Sequence, residues 1–515
     1  MRRLFSGSRA AVAWPAGVVF VWIVGLVRFR GWIATDDHAI LQLELERIAH
    51  GRIPLTGAYS RLGIRHPGPL REWGLGAAYW LTGGRAAALP ATALALNVTS
   101  AGVAVVAARR LGGMRHAAAA AAGVALAVVG LRGDLYSPWN PHLAVLAGWA
   151  AVWAAAAAVR HTGWVRPVAV VWLSLAAQLH AAFLPIGAVG LAVVLACWWR
   201  STPVHSRWQP AAITIACWLG PLLDLRHGGQ ANLVRILLDS DGDRIGVVRG
   251  ARHVAHLLLP WSLAAGDLRR PGGAPPPMLA AAVAVAVLAA VGAGLAVLVR
   301  RTRGADRTAA GAALVALVVA LASAALFVEP LYPYLFAPLA AALLAPTAAG
   351  VGTLITNVPG EPRDGARHVM VVIVAVAVVA GAVALVRAEP ATTSPVERGL
   401  RGALAAHIVP GRAYAIDATG MEVVTYAQVA LYVEQLGGRP YSAIGALDLD
   451  LAPDGADVLL TAMNAPLECL DGAAPSPLAR DLNTFSGKPV GVFSVSANEL
   501  SALEETCPID AFRTR

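Results

Sequence analysis

Long runs of Ala, Val and Leu, almost free of charge, divide the chain. They fall at about 10–27, 86–108, 117–131, 143–159, 167–181, 183–199, 210–223, 278–298, 308–328, 335–356 and 369–386. A helix needs ~20 apolar residues to cross the hydrocarbon of a bilayer, so each run is a candidate span. Composition agrees, with 57% hydrophobic and 14% charged residues over 515 positions and a mean hydropathy of +0.61. Soluble chains do not look like this. The expected fold class is an α-helical integral membrane protein with about 11 transmembrane helices. The stretch 167–199 reads either as a hairpin or as a span followed by a re-entrant piece.

The net charge of +10 is almost all arginine, Lys488 being the single lysine. These arginines sit in short connections, where topology and lipid headgroups account for them. The basic balance therefore implies membrane lipids as partners and no nucleic acid. With Arg2, Arg3 and Arg9 in the cytoplasm, the connections Arg109–His116, Arg160–Arg166, Arg200–Arg207, Arg300–Arg307 and Asn357–His368 also fall inside. Nearly all are short and basic, as the positive-inside rule requires. The outside connections become 28–85, 132–142, a turn near 182, 224–277, 329–334 and a tail from 387. The expectation is a multi-pass plasma-membrane protein with its N-terminus cytoplasmic. Residues 1–386 form the transmembrane domain, and 387–515 form a small extracytoplasmic one.

The tail alternates strand-like pieces (Ala413–Ile416, Val458–Met463, Val490–Val495) with helix-like ones (Leu400–Ile408, Tyr426–Leu436, Asn498–Glu505). That pattern suggests a compact α/β layer structure. Cys197 and Cys217 lie in apolar segments, where a thiol is a small packed side chain. Cys469 and Cys507 both lie in the tail, and an outside tail would let them pair as a disulfide.

The first outside loop breaks the positive-inside rule with eight arginines. A basic loop held outside against that preference suggests that its charges serve a function. Its polar core is TDDHAILQLELERIAHGRIPLTGAYSRLGIRHPGPLREWG, Thr35 to Gly74. Asp36 and Asp37 open a helix-like run that includes Glu46; Tyr59, Arg61, Arg65, His66 and Arg71 follow. On the same face of the membrane lie Asp134 and Asn140, in RGDLYSPWNPH, then Gln178 and His180, Asp224, and Tyr334 in EPLYPY.

The chemistry suggested is substitution at an activated sugar. An acceptor hydroxyl becomes a good nucleophile when a carboxylate takes its proton, a role open to Asp36 or Asp37. A departing phosphate needs cationic donors, and the planar arginine fork fits its oxygens. Arg61, Arg65, His66 and Arg71 are the candidates, with Tyr59, Glu46, Asp134, Asn140, His180, Asp224 and Tyr334 as candidate substrate contacts. Plainer readings stay open beside these. Asp36 and Asp37 suit a helix N-terminus, the arginines suit headgroup anchors, and His180 suits an interhelical hydrogen bond. Tyr59, Trp73, Tyr79 and Trp80 fit an interfacial aromatic belt or a sugar platform. No cofactor is indicated. The adjacent aspartates are not a DxD pair, and no HExxH or cysteine cluster marks a divalent metal.

These residues resemble the GT-C superfamily of polyprenyl-phosphate-sugar-dependent glycosyltransferases, in particular the aminoarabinose transferase and protein O-mannosyltransferase group. Asp36–Asp37, Glu46 and Gly51 reproduce the family spacing of an acidic pair, a glutamate and a glycine beside the first span. RHPGPLREWGLGAAYW takes the place of a lysine and prolines ahead of an aromatic, apolar helix, with His66 where the lysine would stand. PLTGAYSRLGIRHPGP is similar to a loop of actinobacterial membrane proteins of this type. The resemblance implies inverting transfer from a polyprenyl-phosphate sugar to an extracytoplasmic glycan, lipid or protein. In such an organism a decaprenyl-phosphate arabinose or mannose donor and a cell-wall acceptor would follow. A lipid-linked sugar flippase is a competing reading, against which stand spans nearly free of charge at mid-depth. A non-catalytic scaffold with an outside binding domain is another, and it makes Asp36 and Asp37 dispensable.

The topology has a direct test. Membrane-impermeant thiol labelling of intact cells should reach Cys469 and Cys507 only after reduction; labelling confined to opened cells would reverse the assignment.

Overall fold

In the computed structural model the described residues are 2–35, 37–49, 51–59, 64–131, 134–238, 246, 248, 250, 278–324, 395–419, 423–442, 457–463, 479–483 and 489–495. They form two compact units. The first comprises Met1–Phe29 and Pro54–Glu389, the second Arg30–Ile53 and Pro390–Arg515. This division departs from the linear one at 1–386 and 387–515 in one respect: residues 30–53 cluster with the C-terminal residues.

The first unit is a helical bundle. Its helices are α1 (Arg2–Arg28), α3 (Leu70–Leu81), α4 (Ala88–Gly112), α5 (Met114–Leu131), α6 (Asn140–Arg160), α7 (Val165–Leu179), α8 (Leu184–Ser201), α9 (Trp208–Asp224), α10 (Asn232–Leu238), α11 (Met278–Arg301) and α12 (Gly304–Ala324). Ala88–Gly112, Asn140–Arg160, Ala181–Ser201 and Gly304–Ala324 are long and apolar enough to cross a membrane; Trp14–Arg28 and Val165–Leu179 are shorter apolar helices. The candidate spans 335–356 and 369–386 lie outside the described residues. The 167–199 stretch is a helical hairpin: α7 packs on α8 through a tight 3-10 turn at Ala181–Phe183.

Helix α6 is the centre of the bundle. Its apolar window is 89% buried, against 39–50% for the other three long spans. Alanine on most faces lets α4, α7, α8 and α12 approach it closely, while Trp149 and Trp153 fill the space between them. Indole–hydroxyl hydrogen bonds add fixed points: Trp22 Nε1 donates to Thr92 Oγ1 (2.9 Å), Trp172 Nε1 to Ser100 Oγ (3.1 Å) and Trp218 Nε1 to Ser174 Oγ (3.0 Å). Each satisfies a polar group that would be costly to leave unpaired in an apolar setting.

The second unit contains α2 (Asp37–Ala49), α13 (Pro395–His407), α14 (Val423–Gln435) and a five-stranded sheet. The strands are β1 (Ala413–Thr419), β2 (Arg439–Ser442), β3 (Asp457–Met463), β4 (Ala479–Asn483) and β5 (Pro489–Val495), in the order β2-β1-β3-β5-β4. β1 runs parallel to β2 and β3, while β5 is antiparallel to β3 and β4. The three strands legible in the sequence are the inner ones. The two that were not legible, β2 and β4, are the edges. β2 carries Pro440 and β4 carries Arg480 and Asp481, substitutions that edge strands tolerate and that erase the apolar alternation. Helix α14 buries residues 427–433, and α2 packs against it with Leu41, Leu43 and Leu45 buried. Asn498–Glu505 lies outside the described residues.

One feature of the bundle fixes the segment Pro54–Pro69, whose described residues lie in no helix or named strand. Gly220 of α9 lies against it: a Cβ there would sit 2.7 Å from the Leu55 carbonyl oxygen and 2.7 Å from Cγ of Pro69. Neither backbone nor a proline ring can yield easily. Gly220→Ala is therefore expected to cost about 1–3 kcal/mol, the usual price of overpacking. Gly74→Ala, with nothing within 4 Å, should be neutral or stabilising. Thermal melting of the detergent-solubilised protein compares the two.

Candidate functional site

The polar residues of the first unit converge on Pro54–Pro69. Three side-chain amides hold it and the start of α3 that follows it. Gln178, at the end of α7, accepts from Leu70 N at Oε1 (3.2 Å) and donates through Nε2 to Cys217 O (2.7 Å). Asn140, the first residue of α6, donates to Leu179 O (3.1 Å) and faces His66 Nε2 at 2.7 Å. Asn232, the first residue of α10, accepts from Arg65 N (2.8 Å) and donates to Arg65 O (2.9 Å). The segment also pairs with itself. Gly57 N donates to His66 O (2.9 Å), His66 N donates to Ala58 O (2.8 Å), and Tyr59 and Arg65 form an antiparallel bridge.

His66 sits in the middle of this arrangement. Its ring lies 5.2 Å from that of His180. Ala181 N–H points at Nδ1 (3.2 Å), and the Asn140 amide faces Nε2. A neutral imidazole accepts at one ring nitrogen, whereas an imidazolium accepts at neither. Burial holds the His66 imidazole well below its ordinary value of 6.5, and the nearby His180 ring and Arg71 guanidinium lower it further. The ring is therefore neutral, and the positive charge around it belongs to arginine. His180 turns its own Nδ1 to Ala182 N (3.2 Å), closing the α7–α8 turn.

The two described candidate arginines differ in environment. Arg71 is buried, with Nε and Nη2 on Glu72 Oε1 (2.9 and 2.6 Å) and Nη1 towards Pro138 O (3.4 Å). Its charge is met by a neighbouring carboxylate, and it ties α3 to the 134–138 turn. Arg65 is half-buried on the loop, with Nη1 3.5 Å from Gly57 O.

Asp134 lies on the 3-10 turn Asp134–Tyr136, 3.7 Å from Nε2 of buried His142. The Asp224 carboxylate is directed at protein: Oδ2 accepts from Asn232 N (2.7 Å) and Oδ1 lies 3.2 Å from His227 Nδ1. Tyr59 is half-buried beside Arg65. Asp37 opens α2 in the second unit, its carboxylate favourable at the helix N-terminus, and Glu46 lies on the same helix. Asp36, Arg61, Tyr334, Cys469 and Cys507 lie outside the described residues. Among the described residues no group of three or more His, Cys, Asp or Glu is placed to hold a metal ion. Trp80 is exposed, as an interfacial belt requires, but Tyr79 is buried and Trp73 Nε1 donates to Pro54 O (3.1 Å).

The fold has solved counterparts. The crystal structure of ArnT from Cupriavidus metallidurans bound to undecaprenyl phosphate matches with a TM-score of 0.54 at 14% identity, covering 96% of this chain and 99% of that one. Its apo state matches with a TM-score of 0.53, also at 14% identity, over 97% and 99%. The chain has a GT-C fold. No protein-family model and no curated protein sequence matches it significantly. Within the GT-C fold, Asn232, Gln178 and Glu72 are the site-building residues that the sequence did not single out as site residues. Gln178 stood out as a polar group ending an apolar run, whereas an Asn in a connection carries no such signal.

The neutral His66 ring makes this region sensitive to acid. An unfolded histidine takes up a proton below 6.5, while the buried ring resists it. Stability is therefore full above 6.5 and falls as the pH drops below that value, by up to ~1.4 kcal/mol per pH unit for one proton. Melting of wild type and His66→Gln between pH 7.5 and 5 should show a shallower slope in the variant. Parallel slopes would mean that the ring is protonated in the native state.

Proposed function

We propose that the protein is a membrane glycosyltransferase that moves a sugar from a polyprenyl-phosphate donor to an extracytoplasmic glycan, lipid or protein. The observation that carries this reading is the likeness, over nearly the whole chain, to a protein crystallised with undecaprenyl phosphate. The loop Pro54–Pro69 supports it independently: an irregular basic segment, anchored by three amides at the ends of apolar helices, suits a lipid-linked phosphate.

In this reading the acceptor hydroxyl attacks the anomeric carbon of the donor sugar. Asp36 or Asp37 takes the hydroxyl proton, the bond from the anomeric carbon to the phosphate oxygen breaks, and polyprenyl phosphate departs with its electron pair. Attack opposite the leaving group inverts the anomeric centre. The arginines of the loop, Arg61 and Arg65, hold the charge developing on the phosphate; Arg71 is paired with Glu72, and the His66 ring is neutral. His66, Asn140 and Gln178 hold the loop. The N-terminus is assigned to the cytoplasm and the C-terminal unit to the outer face, where lipid-linked sugars are the available donors.

Asp36→Asn and Asp37→Asn should insert and fold normally, and at least one should lose transfer by ~10²-fold or more, the scale of a general base. Full transfer in the double variant would end the enzymatic reading. Lipid extracts of a deletion strain should accumulate one polyprenyl-phosphate sugar, and its identity names the donor.

A further inference from the structure

We infer that the C-terminal unit carries the general base: helix α14, packed between the sheet and α2, fixes where α2 lies and so positions the acidic pair at which α2 begins. This rests on the role given to Asp36 or Asp37 above.

Residues 30–53 belong to the same compact unit as the C-terminal residues. Within that unit α14 packs on β1 and β2, and also on α2. The order of layers is therefore sheet, α14, α2. A helix lying on a sheet normally keeps one polar, exposed face. Here every residue from Ala427 to Val433 is buried, because α2 covers a face that the sheet leaves open.

The two faces of α14 are distinguishable. A Cβ on Gly438 would meet Val433 Cγ1 at 2.9 Å, Ile408 Cγ2 at 3.0 Å and Tyr414 Cδ2 at 3.2 Å. Val433 therefore lies on the sheet side, with Tyr414 of β1. Helical residues turn by about 100° each, which puts Leu431 nearly opposite Val433. Leu431 is fully buried, and the main helical neighbour of α14 is α2. In turn α2 is buried from Ala39 to Leu45. Its Leu41 lies one turn from Asp37, about 6 Å along the axis. A helix is stiff over that length, so a shift of the packed turn carries the N-terminus with it. A misplacement of about 1 Å can cost on the order of 10²-fold in rate. Leu431 is thus a positioning residue that acts through α2.

Transfer is read as the turnover of labelled polyprenyl-phosphate sugar in the deletion strain carrying each full-length variant. Lipid binding and amide exchange are read on the purified protein in nanodiscs, with undecaprenyl phosphate as the probe. Leu431→Ala should speed exchange in α2 and slow turnover by about tenfold or more, with the Kd for undecaprenyl phosphate unchanged. Leu431→Met, close in volume, should restore turnover. Leu431→Val should show the same pattern in smaller degree, and it carries the test if the alanine variant does not fold. Leu404→Ala removes a fully buried side chain of α13 in the same unit and controls for stability alone; its α2 exchange and turnover should stay near wild type. The positioning role is overturned if α2 exchange does not change, if it rises while turnover stays at the wild-type rate, if lipid binding is lost along with turnover, or if Leu404→Ala is equally impaired. In each of these cases the base reading stands, provided that the Asp36→Asn, Asp37→Asn double variant is inactive. Full turnover in that double variant ends the base reading, and the positioning role ends with it.

Discussion

An irregular segment packed among apolar helices must find a partner for every backbone N–H and C=O, because little else is there to supply one. The structure of the first unit turns on how Pro54–Pro69 meets that requirement. Part of its backbone pairs internally, part is met by the amide of Asn232, and Gln178 takes the N–H of Leu70, where the segment enters α3. Asn140 and the His66 ring extend the same network to the ends of α6 and α7. Each anchor sits at or beside a helix end, where polar groups are already exposed. Glycines at 68 and 220 let α7 and α9 close on the segment without a Cβ between them.

The charges around this segment are sorted by their surroundings more than by residue type. Arg71 and Arg65 lie six positions apart, yet one is neutralised by Glu72 and the other stands on the paired loop. His66 occupies the position where the family resemblance places a lysine, but an imidazole enclosed by donors carries no charge. The second unit follows ordinary layer rules. Its inner strands are apolar, its edges carry Pro440 or charge, and α2 packs on α14 through leucines.

The sequence by itself determined which segments are helical and apolar, because hydropathy over a window of ~20 residues is a local property. Helices α4, α6, α8 and α12 were legible for that reason, as were the inner strands β1, β3 and β5. The polar residues of the site also stood out, since charge is rare in this chain. Only the tertiary structure decided their partners. The Asn232 amide and the Arg65 peptide are 167 positions apart, and Gln178 meets Leu70 N across 108. Residues 30–53, continuous in sequence with the basic loop, cluster with the C-terminal sheet instead. Pairing of this kind depends on which helix ends meet in space. No local pattern encodes it, because the energy of a buried hydrogen bond belongs to the pair and not to either residue.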